Sequence, residues 1–219
     1  MKLSDKQQTG CAAVILAGGL NSRMGGKNKA FLQLGKQTFL ERILENLQPF
    51  FSEILLVTRQ PELYGEYPLR VVRDIYSARS SLTGIHAGLV QTKAPFCFIV
   101  PCDAPFLQAS LIRLLLDSLE PSLDVIVPEH EGFYEPLCAI YSKRCIPHIE
   151  KQLAREDFKI FHFFKNIRLK TLPFEIIRNA DAKLHSFYNV NTPEAYRLSE
   201  NKLHRPEGSQ RKNTCGTFS

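Results

Sequence analysis

Residues 12–17, Ala-Ala-Val-Ile-Leu-Ala, constrain the fold of this chain more than any other stretch. They are apolar at every position and stop at Gly18-Gly19. A strand with one wet face alternates apolar and polar residues. A short run apolar on both faces reads instead as a strand covered on both sides, the setting of parallel strands. Residues 96–100 repeat the pattern and end in the turn Pro101-Cys-Asp-Ala-Pro105. Further strands are expected at 54–57, 69–72, 125–127, 137–141 and 167–172. Thr38-Phe-Leu-Glu41 has the spacing of a capping box and opens a helix to about Gln48, with Leu40, Ile43, Leu44 and Leu47 on one face. Other helices are expected at 82–90, 110–119 and 142–153, the last kinked or shifted at its start by Pro147. Thr192-Pro193-Glu194 opens one more. Strands alternating with helices, undivided by a Gly/Ser linker, predict one α/β domain over residues 8–200, with a mostly parallel central sheet and helices on both faces. Residues 201–219 read as a polar, basic, disordered tail.

Composition excludes several function classes. With 219 residues, 44% hydrophobic and 23% charged, the chain is ordinary globular material. Its apolar runs fall far short of the roughly 20 residues that cross a bilayer, and Met1 to Gly10 lacks the apolar core of a signal peptide. A cytoplasmic protein with no membrane partner is expected. About half of the formal charge of +6 belongs to the tail, where Lys202, Arg205, Arg211 and Lys212 oppose only Glu207. The rest forms no basic stripe, so no nucleic-acid partner is expected. Cys11, Cys97, Cys102, Cys138, Cys145 and Cys215 form no C-x-x-C pair and read as reduced thiols, with Cys102 most economically a packing residue. No histidine has a ligand partner at metal-site spacing. The aromatic cluster at 158–164 is either a core helix or a partner surface.

In an open parallel sheet, ligands bind beyond the carboxyl ends of the strands. The first such end leads into Gly18-Gly-Leu-Asn-Ser-Arg-Met-Gly-Gly-Lys-Asn-Lys29. Glycines let backbone N–H groups approach an anion, and Arg23, Lys27 and Lys29 add fixed positive charge, a combination suited to a triphosphate. Neither G-x-x-x-x-G-K-[ST] nor G-x-G-x-x-G is present, which sets aside P-loop NTPases and dinucleotide oxidoreductases. Asp103 lies just past a buried strand between two prolines. It could hold Mg²⁺, a hard cation that bridges substrate phosphates, or serve as a turn aspartate. Asp74 follows the strand at 69–72 and should emerge at the same edge. It could accept from paired N–H donors of a ligand, cap a turn, or pair with Arg73 or Arg79. Asn189 and Asn191 alternate on a strand-like segment and share a face.

The string LAGGLNSRMGGKNK, from Leu16 to Lys29, closely resembles the signature of the MobA family, the molybdenum cofactor guanylyltransferases, and Ala30 continues it. Ser22 directly precedes Arg23, whereas the family often has serine at the Asn21 position. Leu82-Thr-Gly84 resembles the end of a second family element, with Ser80-Ser81 in place of Gly-Pro. Pro101-Cys-Asp-Ala-Pro-Phe106 resembles the metal segment. Glu135-Pro-Leu resembles a stretch that more often starts with Gln, and Asn189-Val-Asn-Thr-Pro-Glu194 matches a late element.

The resemblance implies a Rossmann-like nucleotidyltransferase fold and transfer of GMP from GTP to molybdenum-molybdopterin, with release of pyrophosphate. It implies GTP contacts at Leu16, Ala17, Gly18, Gly19, Lys29, Asp74 and Asp103, and catalytic roles for Arg23, Lys29 and Asp103. Mg²⁺ is the implied cofactor, on Asp103. Asn189 and Asn191 are implied to border the pterin or the metal, with Tyr134 and Glu135 as lesser second-substrate candidates. Cofactor-supplying proteins and recipient molybdoenzymes are the implied protein partners. The rival readings are a related enzyme using CTP or another phosphate acceptor, and a non-catalytic cofactor-delivery protein.

Overall fold

A computed structural model describes residues 10–18 and 28–204, with only the backbone of 201–204. The predicted site residues Gly19 and Arg23, the neighbouring Ser22 and Lys27, and the chain beyond His204 with Cys215 lie outside the described residues. In chain order the elements are β1 (Cys11–Leu16), β2 (Gln33–Leu34), β3 (Gln37–Thr38), α1 (Phe39–Leu47), β4 (Ile54–Thr58), β5 (Arg70–Arg73), α2 (Ser81–Gln91) and β6 (Phe96–Pro101). There follow α3 (Ala109–Asp117), β7 (Val125–His130), β8 (Phe133–Tyr134), β9 (Ala139–Ser142), α4 (Ile146–Leu153), β10 (Leu169–Leu172), α5 (Phe174–Ala180) and α6 (Pro193–His204). The main sheet runs β10-β7-β9-β6-β1-β4-β5, with β8 paired to β7.

β1 is buried at every residue, as its composition requires, and sits between β4 and β6, parallel to both. Its alternate residues face two separate cores. Ala13 and Ile15 pack with Leu40, Ile43 and Leu47 of α1 and with Leu111, Ile112 and Leu115 of α3. Val14 and Leu16 pack with Leu82, Ile85 and Leu89 of α2 and with Ile149 of α4. Each such side chain contributes about 1.5–3 kcal/mol by leaving water, so the two-sided burial is a dominant stabilising feature. The capping box is formed: Glu41 N–H donates to Thr38 Oγ1 at 3.2 Å, and Thr38 N–H to Glu41 Oε2 at 2.6 Å.

The structure departs from the sequence expectations at identifiable points. β9 runs antiparallel to both β6 and β7. The reversal comes from the β7–β8 hairpin, whose turn residues Glu131 and Gly132 both have positive φ, 51° and 79°, the geometry that matches strand twist. Pro147 shifts the helix start rather than kinking it: α4 opens at Ile146, where the missing N–H costs nothing. The β2–β3 hairpin and α5 lack a readable apolar period. α6 runs past the expected domain edge at 200. The aromatic cluster divides, with Phe163 and Phe164 buried and Phe161 half exposed on a 3-10 helix (Ile160–Asn166). Tyr188 is extended, but residues 188–191 belong to no strand, so the strand-like reading of Asn189 and Asn191 is corrected. The described cysteines are free and buried, and burial pushes the Cys97, Cys102 and Cys145 thiols up to about 12.

One polar cluster ties the far side of the sheet together. Asp124, at the entry to β7, is 10% exposed and accepts from Arg144 Nε at 2.6 Å and from Arg168 N–H, Nε and Nη2 at 2.9–3.1 Å. Although burial alone would raise it, these bonds hold its carboxyl well below the usual carboxylate range. The folded-state value is therefore depressed, and the associated stability is full above an unfolded value near about 3.9 and lost as pH falls below it. Asp124→Asn should cost about 1–3 kcal/mol at pH 7. In chemical denaturation, the gap from wild type should narrow below about pH 4.

A second constraint lies where α2 crosses β1. A Cβ on Gly88 would sit 2.6 Å from Val14 Cγ1 and 3.0 Å from Cγ2, both on the buried central strand. Gly88→Ala gains about 1 kcal/mol of helix propensity, but forced overpacking costs about 1–3 kcal/mol and should win. The expected outcome is a lower Tm for Gly88→Ala. Gly65→Ala, with open space around it, should show no comparable loss.

Candidate active site

The carboxyl ends of β1, β4, β5 and β6 meet at one edge of the sheet, where the order of connections reverses on either side of β1. A cavity of about 350 Å³ opens there. Leu16, Gly18, Thr58, Arg59, Asp74 and Asp103 line it from the strand ends, Ser80, Ser81 and Gly84 from the start of α2, and Leu137, Asn189 and Asn191 from later segments. Lys29 reaches in from the far end of the glycine-rich stretch.

Lys29 is positioned by its neighbours. Asn28 caps the short 3-10 turn Lys29–Phe31 by accepting from Ala30 N–H, while its Nδ2 donates to the buried Tyr64 hydroxyl at 2.9 Å. Burial pushes that phenol up to about 12, so it stays neutral. Lys29 Nζ then donates to Asp103 Oδ2 at 2.9 Å and to Asn191 Oδ1. Lys29 and Asp103 are only 14% and 16% exposed, so water screens the pair weakly. Asp103 sits on a rigid support: Cys102 N–H donates to Leu16 O at 3.0 Å, and Val190 N–H donates to Asp103 O at 2.8 Å. This last bond fastens the 188–191 segment to the β6 turn and presents both asparagines to the cavity, while Val190 is fully buried.

The opposite wall is a polar loop tied at two points. Asp74 Oδ1 accepts Tyr76 N–H at 3.2 Å and Oδ2 accepts the Thr83 hydroxyl at 2.7 Å. Its local partners are therefore a turn N–H and a helix hydroxyl, and it forms no ion pair with Arg73 or Arg79. Arg59 Nη2 donates to the carbonyls of Tyr76 and Ser77 at 2.5 Å and of Ala78 at 3.2 Å. Ser80 caps α2 through Thr83 N–H, so the positive end of that helix faces the cavity. Ala17 lies behind the wall, its N–H and carbonyl held by Val57 and Thr58. Tyr134 packs on Phe164 and Glu135 is half-buried with its carboxyl raised by burial; the wall on that side is Leu137.

The arrangement offers a fixed ammonium and helix N–H groups beside the hard carboxylate of Asp103, with Asp74 on the opposite wall. Among the described residues no group of three or more His, Cys, Asp or Glu side chains gathers as a metal cage. Among the described residues Asp103 Oδ1 has no partner, which fits an ion held by one carboxylate plus substrate phosphates. Sequence reading missed Thr58, Arg59, Arg79, Ser80 and Ser81. The rule that singled out Asp103 and Asp74, polar residues just past a strand, would have found Thr58 and Arg59 at the end of β4.

Residues 13–169 match the family of MobA-like NTP transferase domains. A molybdenum cofactor guanylyltransferase from Desulfosudis oleivorans is 36% identical over 85% of this chain and 93% of its own length. One from Vibrio campbellii is 31% identical over 86% of this chain and 94% of its own. The solved structure of molybdopterin-guanine dinucleotide biosynthesis protein A from Archaeoglobus fulgidus is similar with a TM-score of 0.78 at 26% identity, over 88% of this chain and 98% of that one. 2-C-methyl-D-erythritol 4-phosphate cytidylyltransferase from Thermus thermophilus, at 12% identity and a TM-score of 0.62, covers 88% and 98% and shares the fold alone.

The Lys29 bridge joins three segments that no backbone ladder connects. Lys29→Ala should leave Asp103 unpaired in a poorly hydrated place and cost about 1–3 kcal/mol. Amide hydrogen exchange at Val190 should quicken, because the segment loses the tie between Asn191 and Lys29. Unchanged exchange there would show that the bridge does not organise the site.

Proposed function

The chain belongs to the MobA-like NTP transferase family, and from that premise we propose that it transfers GMP from GTP to molybdenum-molybdopterin, forming molybdopterin guanine dinucleotide and pyrophosphate. It is a nucleotidyltransferase of the molybdenum cofactor guanylyltransferase kind. The observation that carries the reading is the Lys29–Asp103–Asn191 cluster facing the N-terminus of α2 across one cavity.

An oxygen of the pterin's terminal phosphate attacks the α-phosphorus of GTP. The bond from that phosphorus to the bridging oxygen breaks, and pyrophosphate leaves. The attacking oxygen is already anionic at neutral pH, so the chain need supply no general base. Lys29 Nζ has three N–H groups, two of which hold Asp103 and Asn191. The third is free for a phosphate oxygen, in a position already fixed before charge develops. The first N–H groups of α2 serve oxygens on the opposite side. Asp103 would hold Mg²⁺, which when bound supplies positive charge to the phosphates. Asp74 shapes the rim through its bonds to Tyr76 and Thr83, and so supports the guanine nucleotide. Asn189 and Asn191 border the pterin. Arg23 and Gly19 are assigned to the triphosphate on the sequence pattern.

Pyrophosphate release should be measured with molybdenum-molybdopterin and either GTP or CTP. Turnover with GTP should exceed that with CTP by tenfold or more, and Asp103→Ala should abolish Mg²⁺-dependent turnover with the fold intact. Preference for CTP would reassign the base. No release with either would make the chain a cofactor carrier, and near wild-type turnover of Asp103→Ala would remove the metal assignment.

A further inference from the structure

The chain between α4 and β10 builds a second cavity, of about 770 Å³, that shares no lining residue with the nucleotide cavity. Its volume lies within the range of about 300–1,000 Å³ typical of small-molecule sites. The wall is cationic: Lys151 and Arg155 come from α4 and the turn after it, and Lys165 from the 3-10 helix, with His148 and His162 beside them. Asp157 is the acid on this wall, and its charge is already engaged. Its Oδ2 meets His162 Nδ1 at 2.7 Å and its Oδ1 accepts Lys159 N–H at 3.2 Å. The side chains of Lys151, Arg155 and Lys165 make no hydrogen bond or ion pair with any described residue.

The walls are held in place rather than merely adjacent. Gln152, 8% exposed, donates from Nε2 to the carbonyls of Asp157 and Lys159 at 3.1 and 2.7 Å, which staples the turn to α4. Those two acceptors fix which amide atom is nitrogen, so the other is an acceptor. That Oε1 is buried and has no hydrogen-bond partner, an arrangement native proteins seldom leave uncompensated. Phe161, half exposed, meets the His162 ring edge-on at 5.1 Å and adds an aromatic surface to the wall.

Unpaired ammonium and guanidinium groups in a concave wall match an oxyanion such as phosphate, which an arginine can grip through two N–H groups. An exposed aromatic surface takes a planar ring. We propose that this cavity is a second ligand site, for a phosphorylated planar-ring compound, the chemistry of a nucleoside monophosphate. An acidic protein segment would use the cations but not the ring surface. The site does not depend on the reaction assigned to the other cavity.

Adenosine 5′-monophosphate and inorganic phosphate should be titrated separately into the full chain while the imidazole C–H resonances of His148 and His162 are followed by NMR. The monophosphate should shift both saturably and bind at least tenfold more tightly than phosphate. The double variant Lys151→Ala/Arg155→Ala should weaken this binding tenfold or more with an unchanged circular dichroism spectrum. Asp103→Asn should leave it unaltered, which separates it from any binding in the nucleotide cavity. Equal affinity for both probes would overturn the ring-bearing ligand. Shifts produced by an oligoglutamate peptide and by neither probe would make the cavity a protein-docking surface instead. No saturable shift with any probe would overturn the site.

Discussion

The charged groups around the first cavity are hung on a strand with no charge in it. β1 is covered on both faces, so its position is set by two cores at once and its carboxyl end cannot drift. Helix α2 can lie close against it because Gly84 and Gly88 present no Cβ to Leu16 and Val14. The same close approach brings the N-terminus of α2 to the end of β1, where an anion would meet helix N–H groups. Packing and electrostatics are thus one constraint here. A helix held farther out would weaken the core and withdraw its dipole from the cavity together.

The polar side of the site works by a different principle. Lys29, Asp103 and Asn191 are far apart in sequence, and each is carried by a segment whose own backbone bonds are few. Their mutual bonds therefore hold the segments as well as the charges. A lysine half-committed to a carboxylate and an amide keeps its ammonium in place at modest cost, and retains one N–H for a ligand. Asp103 gives one carboxylate oxygen to Lys29. Arg59 and Asp74 perform the matching task across the cavity, where they tie a loop through its carbonyls and an N–H rather than through packing. Its residues Arg79, Ser80 and Ser81 are thereby held at the rim.

What could be read from the sequence follows from how local each signal is. Residues 12–17 announced a two-sided strand because burial on both faces leaves an unbroken apolar run, and Thr38 with Glu41 announced a helix start because a capping box is complete within four residues. Asp103 and Asp74 were legible because strand ends carry ligands in this architecture. The antiparallel β9 was not legible: strand direction depends on the reversal at Glu131-Gly132, and an apolar run looks the same in either direction. Nor was the Asp124 cluster, since its arginines arrive from distant segments, and no spacing rule joins residues 124, 144 and 168. Arg59 escaped for a simpler reason. A polar residue after a strand was weighed at β1, β5 and β6 and passed over at β4.

The reversal at the β7–β8 hairpin also explains how the two halves of the cavity can differ in character. On the β4–β5 side all strands are parallel, every strand end points at the cavity, and the polar loop there is pinned at several points. On the β6 side an antiparallel strand intervenes, so β9 offers its amino end to the same edge and only the apolar Leu137 just before it reaches the wall. A triphosphate needs several fixed donors, and the parallel side provides them. A second substrate presented across Leu137, Asn189 and Asn191 meets a sparser wall of one apolar and two neutral polar side chains. These three side chains carry no charge of their own. Fixed positive charge stands at the edge of this wall on Lys29, which is bonded to Asn191, and across the cavity on Arg59 and Arg79.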